Sequence, residues 1–139
     1  MKKIPLKIIL VSLVFFCHCT KKKPVTSIYD SIEYNNLTKK EIRSGESIWA
    51  IACFRCHMYG TNGAMVLEEK TYWDSVASKG LEKLFNSVWN GKQGESGLMP
   101  PKGLCNLCSE TEIRESILYI FHLAKKAQAA NKAKLSNKQ

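Results

Sequence analysis

The stretch Cys53-Phe54-Arg55-Cys56-His57 decides how the rest of this 139-residue chain is interpreted. Two cysteines three positions apart lie on the same side of a helical turn, so both sulfurs can form thioethers with the vinyl groups of one porphyrin. The adjacent histidine is then carried under the same porphyrin face, where its imidazole can bind the iron. The motif therefore predicts covalent haem attachment through Cys53 and Cys56, with His57 as the proximal iron ligand.

A Cys-x-x-Cys pair also occurs in zinc sites and in redox-active dithiols, so the pentapeptide alone leaves other functions open. A zinc-binding module would combine Cys53 and Cys56 with a second pair, Cys105 and Cys108, but the two pairs lie far apart in the sequence. A dithiol oxidoreductase would need a strand-rich context, which neither pair has. A haem enzyme subunit would need an exchangeable position on the iron.

The iron would need a sixth ligand or an open coordination site, and few side chains can supply the ligand. Met58 follows His57 too closely to reach the other porphyrin face, and Met65 lies in a loop with no defined pattern. His122 lies away from the apolar stripe of its helix and is expected to face solvent. His18 falls in the N-terminal apolar segment.

Met99 is the favoured sixth ligand because two prolines come directly after it in the chain. Pro100 and Pro101 stiffen the backbone at this point and cannot continue a helix. Met99 is therefore expected on an extended, semi-rigid segment that can present its thioether to the iron. An iron bound by both His57 and Met99 would have no exchangeable position, which argues against the haem enzyme.

The length of the chain predicts one domain, and its charge is unevenly placed. The net charge is +9, but residues 38–124 contain ten basic and ten acidic residues. The surplus lies in the lysine-rich ends, where a solvated tail is the simplest explanation and attraction to an anionic membrane or an acidic partner is the alternative. The basic residues are not interleaved with aromatic ones, so no nucleic-acid partner is predicted.

Residues 1–19 have the features of a signal peptide, so we expect a periplasmic protein. A basic start is followed by the apolar run Ile8–Phe16, which is too short to span a membrane. The run ends directly at Cys17-His18-Cys19, which resembles a bacterial lipoprotein signal and predicts a lipid tether at Cys17 or Cys19. The residues before Cys17 are bulkier than that pattern usually has, so a soluble periplasmic product and an uncleaved anchor remain alternatives.

The rest of the chain divides into a linker, a domain and a tail. Residues 20–37 show no sustained period and are interpreted as a linker. Thr38 and Glu41 have the spacing of a helix capping box, and Gly45 would interrupt that helix, leaving room for a close approach by another element. The domain is expected over residues 38–124, and the basic tail 125–139 is expected to fray.

Two further helices are predicted by apolar spacing. The first covers Gly80–Asn90, where Leu81, Leu84, Phe85 and Val88 form a face that should be buried. The second follows a capping box at Ser109 and Glu112. Its apolar stripe consists of Ile113, Ile117, Ile120, Phe121 and Ala124.

These separated features occur in the order seen in one family. They are Gly45, Trp49, the Cys53–His57 motif, Trp73, Gly80-Leu-Glu-Lys-Leu, Met99-Pro-Pro-Lys-Gly103, a cysteine pair, and Ser109-Glu-x-Glu leading a helix. Over residues 38–124 this order resembles the bacterial class I cytochromes c, most of all the cytochrome c-five subgroup. Trp49 departs from the pattern, since a smaller aromatic residue is common there.

The resemblance implies a small all-α fold wrapped around one covalently bound haem c. It implies His57 and Met99 as axial ligands, Cys53 and Cys56 as thioether anchors, and a disulfide between Cys105 and Cys108. It also implies that the first and last helices cross at Gly45 and Tyr119. The implied function is that of an electron carrier, not an enzyme, which exchanges single electrons with redox partner proteins.

Overall fold

The computed structural model describes residues 24–137, and this part of the chain is mainly helical. The helices are α1 (Ile32–Asn35), α2 (Lys39–Ile48), α3 (Phe54–His57), α4 (Lys70–Ala77), α5 (Leu81–Asn90) and α6 (Glu110–Ser136). Two short strands, β1 (Lys92–Gln93) and β2 (Leu98–Met99), pair as an antiparallel hairpin. The helical architecture agrees with the all-α fold that the sequence predicts.

The predicted signal peptide, residues 1–19 with Cys17 and Cys19, lies outside the described residues. Within residues 24–137, none of the helices combines the length and the apolar character that a membrane crossing requires.

Helix α2 begins at the predicted cap and crosses α6 at the predicted glycine. The Glu41 carboxylate accepts a hydrogen bond from the Thr38 backbone N–H at 2.7 Å, which completes the capping box. Farther along α2, a Cβ on the buried Gly45 would lie 2.5 Å from the Glu115 carbonyl oxygen and 2.7 Å from the Tyr119 Cβ. The two helix backbones are therefore so close at this point that only glycine, which has no side chain, fits between them.

The core is organised along α6. All five residues of its predicted apolar stripe are buried. The ring of Phe121 packs edge to face against Trp73 of α4, with ring centroids 5.4 Å apart. On α5, Phe85 is buried but Leu84 and Val88 are only half-buried, because they border a cavity rather than another helix.

The predicted linker, residues 20–37, is partly wrong. Ile28 lies in a single 3₁₀ turn and is completely buried, and Tyr29 packs edge to face on Phe121 with a centroid distance of 5.7 Å. Ser31 then caps the one-turn helix α1. These elements are too short to show a hydrophobic period, which is why the sequence pattern missed them. The domain therefore extends at least to Ile28.

The predicted fraying of residues 125–139 is also wrong for most of that range, since α6 continues to Ser136. Alanine, lysine and glutamine are strong helix formers, and Ala127 still packs against the core. The Gln128 side-chain amide also donates to the Leu67 carbonyl at 3.5 Å. This extension carries four lysines and no acidic residue, namely Lys125, Lys126, Lys132 and Lys134.

Replacing Gly45 with alanine is expected to destabilise the fold although alanine favours a helix interior by roughly 1 kcal/mol. The added methyl group would overlap the backbone of α6, and overpacking of this kind costs about 1–3 kcal/mol. Denaturant titration of the purified protein gives the free energy of unfolding. Ser47→Ala, at an exposed position of the same helix, is the control. Equal stabilities of the two variants would contradict the close crossing.

A pair of isoleucines tests whether the segment before residue 38 belongs to the core. Ile28→Ala should lower the free energy of unfolding by about 2–5 kcal/mol, since the side chain is fully buried. Ile32→Ala should change it by less than roughly 0.5 kcal/mol, because Ile32 is 76% exposed. Two equally mild effects, measured by denaturant titration, would restore the linker interpretation.

Candidate haem-binding site

The structure brings three of the predicted site residues to one cavity. Cys53, His57 and Met99 all line it. Its walls are largely apolar and come from α4, α5 and α6, through Trp73, Val76, Leu84, Val88, Ile117 and Ile120. An apolar chamber with a thiol, an imidazole and a thioether on its lining has the chemistry that a covalently attached haem requires. Cys56 is half-buried on α3, directly before His57.

An irregular helical turn, which the sequence did not predict, leads into the Cys53–His57 motif. Between α2 and α3 the chain forms a wider π-helical turn over Trp49–Cys53, in which the Phe54 N–H donates to the Trp49 carbonyl. Such turns insert a residue into a helix and often occur at functional sites. Trp49 is buried there and packs edge to face on Phe54, with centroids 6.1 Å apart.

The His57 ring is fixed by a backbone carbonyl. Its Nδ1 lies 3.0 Å from the Met65 carbonyl oxygen. A carbonyl can only accept, so Nδ1 carries the proton and Nε2 carries the lone pair that a metal ligand needs. Burial lowers the pKa of His57, while the bond to Met65 opposes that shift. The lowered pKa favours the neutral imidazole, and the bond to Met65 orients the ring as an iron ligand would be.

Trp73 supports the same loop from α4. Its indole N–H donates to the Val66 carbonyl at 2.7 Å, next to the Met65 carbonyl that holds His57. The rings of Trp73 and His57 are 5.7 Å apart between centroids. One tryptophan thus contacts the histidine ring and also anchors the segment that orients it. Trp73 is one of the features that carry the family resemblance, whereas no sequence pattern indicated the Met65 carbonyl, whose role depends on a loop conformation.

Met99 lies on an extended segment, as expected. It forms the end of β2 and pairs with Lys92 of β1. Pro100 continues the extended backbone with φ −69° and ψ 156° before the chain turns sharply. The backbone of Met99 is therefore held by pairing with β1 on one side and by the rigid Pro100-Pro101 dipeptide on the other.

Lys102 anchors the turn that follows the two prolines. Its φ of 52° is in the left-handed region, which non-glycine residues rarely adopt. Its ammonium lies 3.7 Å from the centre of the Trp89 ring and donates to the Cys108 carbonyl at 3.4 Å. These two contacts offset the strained backbone and tie the segment after Met99 to α5 and to the start of α6.

The two cysteine pairs are in different states. Cys105 and Cys108 are joined by a disulfide, whereas Cys53 and Cys56 are not paired with another cysteine of the described chain. Burial, and secondarily Cys56, raises the pKa of the Cys53 thiol to about 11. Across residues 24–137, no three His, Cys, Asp or Glu side chains gather as a metal site would need. The zinc module that would use both pairs therefore has no support in the structure.

Of the other candidate ligands, His18 lies outside the described residues, and the side chains of Met58, Met65 and His122 do not line the cavity. His122, predicted to face solvent, is instead half-buried and stacks on Tyr119 with centroids 6.3 Å apart. Burial, with a smaller effect of Lys126, lowers the pKa of this histidine. Met58 faces a separate and wider hollow between α2, α3 and α6, which contains neither His57 nor Met99. Met65 contributes its carbonyl oxygen to the site.

Comparisons with known proteins agree with this chemistry. Residues 40–120 match the family model described as cytochrome c oxidase, cbb3-type, subunit III. Cytochrome c5 of Ectopseudomonas mendocina is 35% identical over 77 residues, which cover 54% of this chain and 84% of that protein. Cytochrome c-555 of Chlorobaculum tepidum is 24% identical over 82 residues, covering 59% of this chain and 76% of that protein.

A solved structure has a similar fold. It is the cytochrome c in a crystal structure of an electron-transfer complex of nitrite reductase with cytochrome c. The match has a TM-score of 0.51 and 30% sequence identity, and it covers 58% of this chain and 94% of the other.

Trp73→Phe is expected to loosen the loop that orients His57. The substitution keeps an aromatic ring but leaves the Val66 carbonyl without its donor, which should cost about 1–3 kcal/mol of unfolding free energy. Trp49→Phe is the matched control, because Trp49 is similarly buried and packs through its ring on Phe54. Denaturant titrations of the two variants compare the effects. An equal or smaller loss for Trp73→Phe would mean that the indole bond contributes nothing.

Proposed function

Because the chain belongs to the class I c-type cytochromes, we propose that it is an exported electron carrier in which His57 and Met99 bind the iron of one haem. Its family establishes a monohaem electron-transfer cytochrome with covalently bound haem c. When bound, the haem supplies a one-electron Fe(III)/Fe(II) couple.

One observation carries the ligand assignment. The Met65 carbonyl holds the proton on Nδ1 of His57, which leaves Nε2 free in the same cavity that Met99 lines. Cys53 lines this cavity as well, and Cys56 completes the spacing needed for two thioether bonds. Anchor, proximal ligand and distal ligand are thus supplied by two short segments.

The chain sets the properties of the carrier through these segments. The Met65 carbonyl strengthens His57 as a donor and stops its ring from rotating. The thioether of Met99 favours the ferrous state and raises the potential. Both ligands lie on constrained backbone, so they can stay in place as the oxidation state changes. The largely apolar walls would limit contact between the haem and water, which would keep the cost of reorganisation small.

Exposed apolar side chains near these segments support contact with a redox partner. They are Ile51, Leu98, Leu104 and Leu107, with exposed fractions of 73%, 57%, 73% and 99%. The attachment segment and the loop after Met99 meet where a Cβ on Gly103 would lie 3.0 Å from the Ala52 carbonyl oxygen. A small apolar surface of this kind suits a weak, rapidly exchanging complex. The neighbour in complex with nitrite reductase supports a redox enzyme as partner.

The export proposal rests on the sequence of residues 1–19. A basic start and a short apolar run fit a signal peptide that ends at a lipidated Cys17 or Cys19 and would tether the carrier to a membrane in the periplasm. The Cys105–Cys108 disulfide suits an oxidising compartment of that kind.

Haem attachment is tested by expressing the chain with a cytochrome c maturation system and denaturing the product in detergent. Haem should stay with the polypeptide of the native sequence and be lost from the Cys53→Ala, Cys56→Ala double variant, because thioethers survive denaturation. Cys105→Ala with Cys108→Ala is the control and should retain haem. Haem that leaves the native chain would overturn the proposed attachment.

Two methionine variants test the distal ligand in the same holoprotein. Met99→Ala should abolish the far-red charge-transfer band that an iron–thioether bond gives to ferric haem. Its potential should fall by on the order of 0.1 V, within the roughly 0.8 V that axial ligands span. Met65→Leu keeps the carbonyl that holds His57 and should leave band and potential unchanged. The opposite pattern would make Met65 the ligand.

A further inference from the structure

We propose that two crossed glycines, Gly63 and Gly97, act as positioning residues that hold Met99 at the iron. Gly63 ends the turn after the haem-attachment helix, and Gly97 ends the turn of the hairpin that carries Met99. This inference rests on the proposed ligation by Met99. We call the contact between residues 62–63 and 96–97 the glycine latch.

The latch is a backbone-to-backbone contact with no room for side chains. A Cβ on Gly97 would fall on the Asn62 carbonyl oxygen, far inside van der Waals contact. A Cβ on Gly63 would fall on the Ser96 carbonyl oxygen in the same way. Each glycine therefore makes space for the backbone of the opposite turn. Both obstacles are main-chain atoms, which cannot move aside as a flexible side chain could.

One side of the latch is tied to the attachment motif. The turn Thr61–Gly63 starts four residues after His57, and the Thr61 hydroxyl donates to the Arg55 carbonyl at 2.8 Å. Arg55 lies between the two cysteines predicted to anchor the haem. A displacement of this turn would therefore be resisted by the helix that carries the proximal ligand.

The other side of the latch leads directly to Met99. Gly97 precedes it by two residues, and the Gly94 N–H closes the turn by donating to the Gly97 carbonyl at 2.8 Å. The hairpin has only two residue pairs, Lys92 with Met99 and Gln93 with Leu98. A hairpin this short is not stable alone in water, so its position must come from contacts outside it.

The base of the hairpin is fixed in a similar way. Gly91 has φ 76°, and a Cβ there would lie 2.9 Å from both the Met99 carbonyl oxygen and the Pro101 ring. Base and tip are thus each packed against backbone, and Met99 lies between them. The base contact stays within the Met99 loop, whereas the latch at the tip joins that loop to the His57 side of the site. The latch therefore couples the two ligand-bearing segments ahead of Met99, as the contact between Gly103 and Ala52 does after it.

Gly97 and Gly94 offer a matched comparison within one turn. Both have φ outside the left-handed region, so alanine causes no conformational strain at either position. At Gly94 the new Cβ would meet only the Gly97 carbonyl oxygen, at 3.2 Å, so the overlap is only a few tenths of an ångström. At Gly97 it would force the two turns apart. Gly97→Ala should therefore disturb Met99, and Gly94→Ala should not.

The experiment compares ferric holoproteins of the native chain, Gly97→Ala and Gly94→Ala, using imidazole as a competing iron ligand. Gly97→Ala should bind imidazole about tenfold more tightly, the ratio that corresponds to roughly 1.4 kcal/mol of lost Met99 binding. Its far-red iron–thioether band should weaken while its helical circular dichroism stays native. Equal affinities and bands for the two glycine variants would overturn the proposal.

A variant-free measurement covers the case in which Gly97→Ala yields no folded holoprotein. Imidazole is added to the native holoprotein, and hydrogen exchange is followed by segment. Displacing Met99 should speed exchange at residues 61–64 together with 94–99. Faster exchange at 94–99 alone would show that the turns are not coupled. If Met99→Ala retains the far-red band, the assignment of Met99 as ligand is wrong. If Met99→Ala loses the band but Gly97→Ala behaves like the native protein, only the glycine latch is wrong.

Discussion

The contact at Gly45 is the constraint on which the rest of the structure depends. It brings α2 against α6 at backbone distance, and α2 leads directly into the turn that presents the haem-attachment motif. The opposite face of α6 contributes Ile117 and Ile120 to the cavity wall. A wider crossing would move the attachment motif relative to that wall. The dimensions of the chamber are therefore set by a residue that does not touch it.

The site is assembled by main-chain groups more than by its conspicuous side chains. The Met65 carbonyl selects the His57 tautomer, and the neighbouring Val66 carbonyl accepts from Trp73. On the other side, Met99 depends on a two-pair hairpin, rigid prolines and close glycine contacts. Such groups hold their positions without rotamer freedom. This suits an electron carrier, because its ligands should move little between oxidation states.

Local chemistry explains which features the sequence could predict. The capping boxes at Thr38 and Ser109 and the apolar stripe of α6 depend on residues a few positions apart, and the structure shows both. The burial of Ile28 was missed because one-turn elements have no period. The helical extension beyond Lys125 was missed because its high charge suggested fraying. The Met65 carbonyl and the glycine latch depend on loops that meet only after folding, so no sequence pattern predicts them.

The extension of α6 concentrates positive charge at one end of the described chain. Residues 38–124 carry balanced charge, whereas the twelve residues Lys125–Ser136 add four lysines along a rod about 18 Å long. Among the described residues, the surplus of positive charge is thus concentrated in the last part of α6. An anionic surface attracts this end of α6 and so orients the protein during its approach, and salt weakens the attraction. A rod of lysines can therefore set the direction in which the haem domain faces.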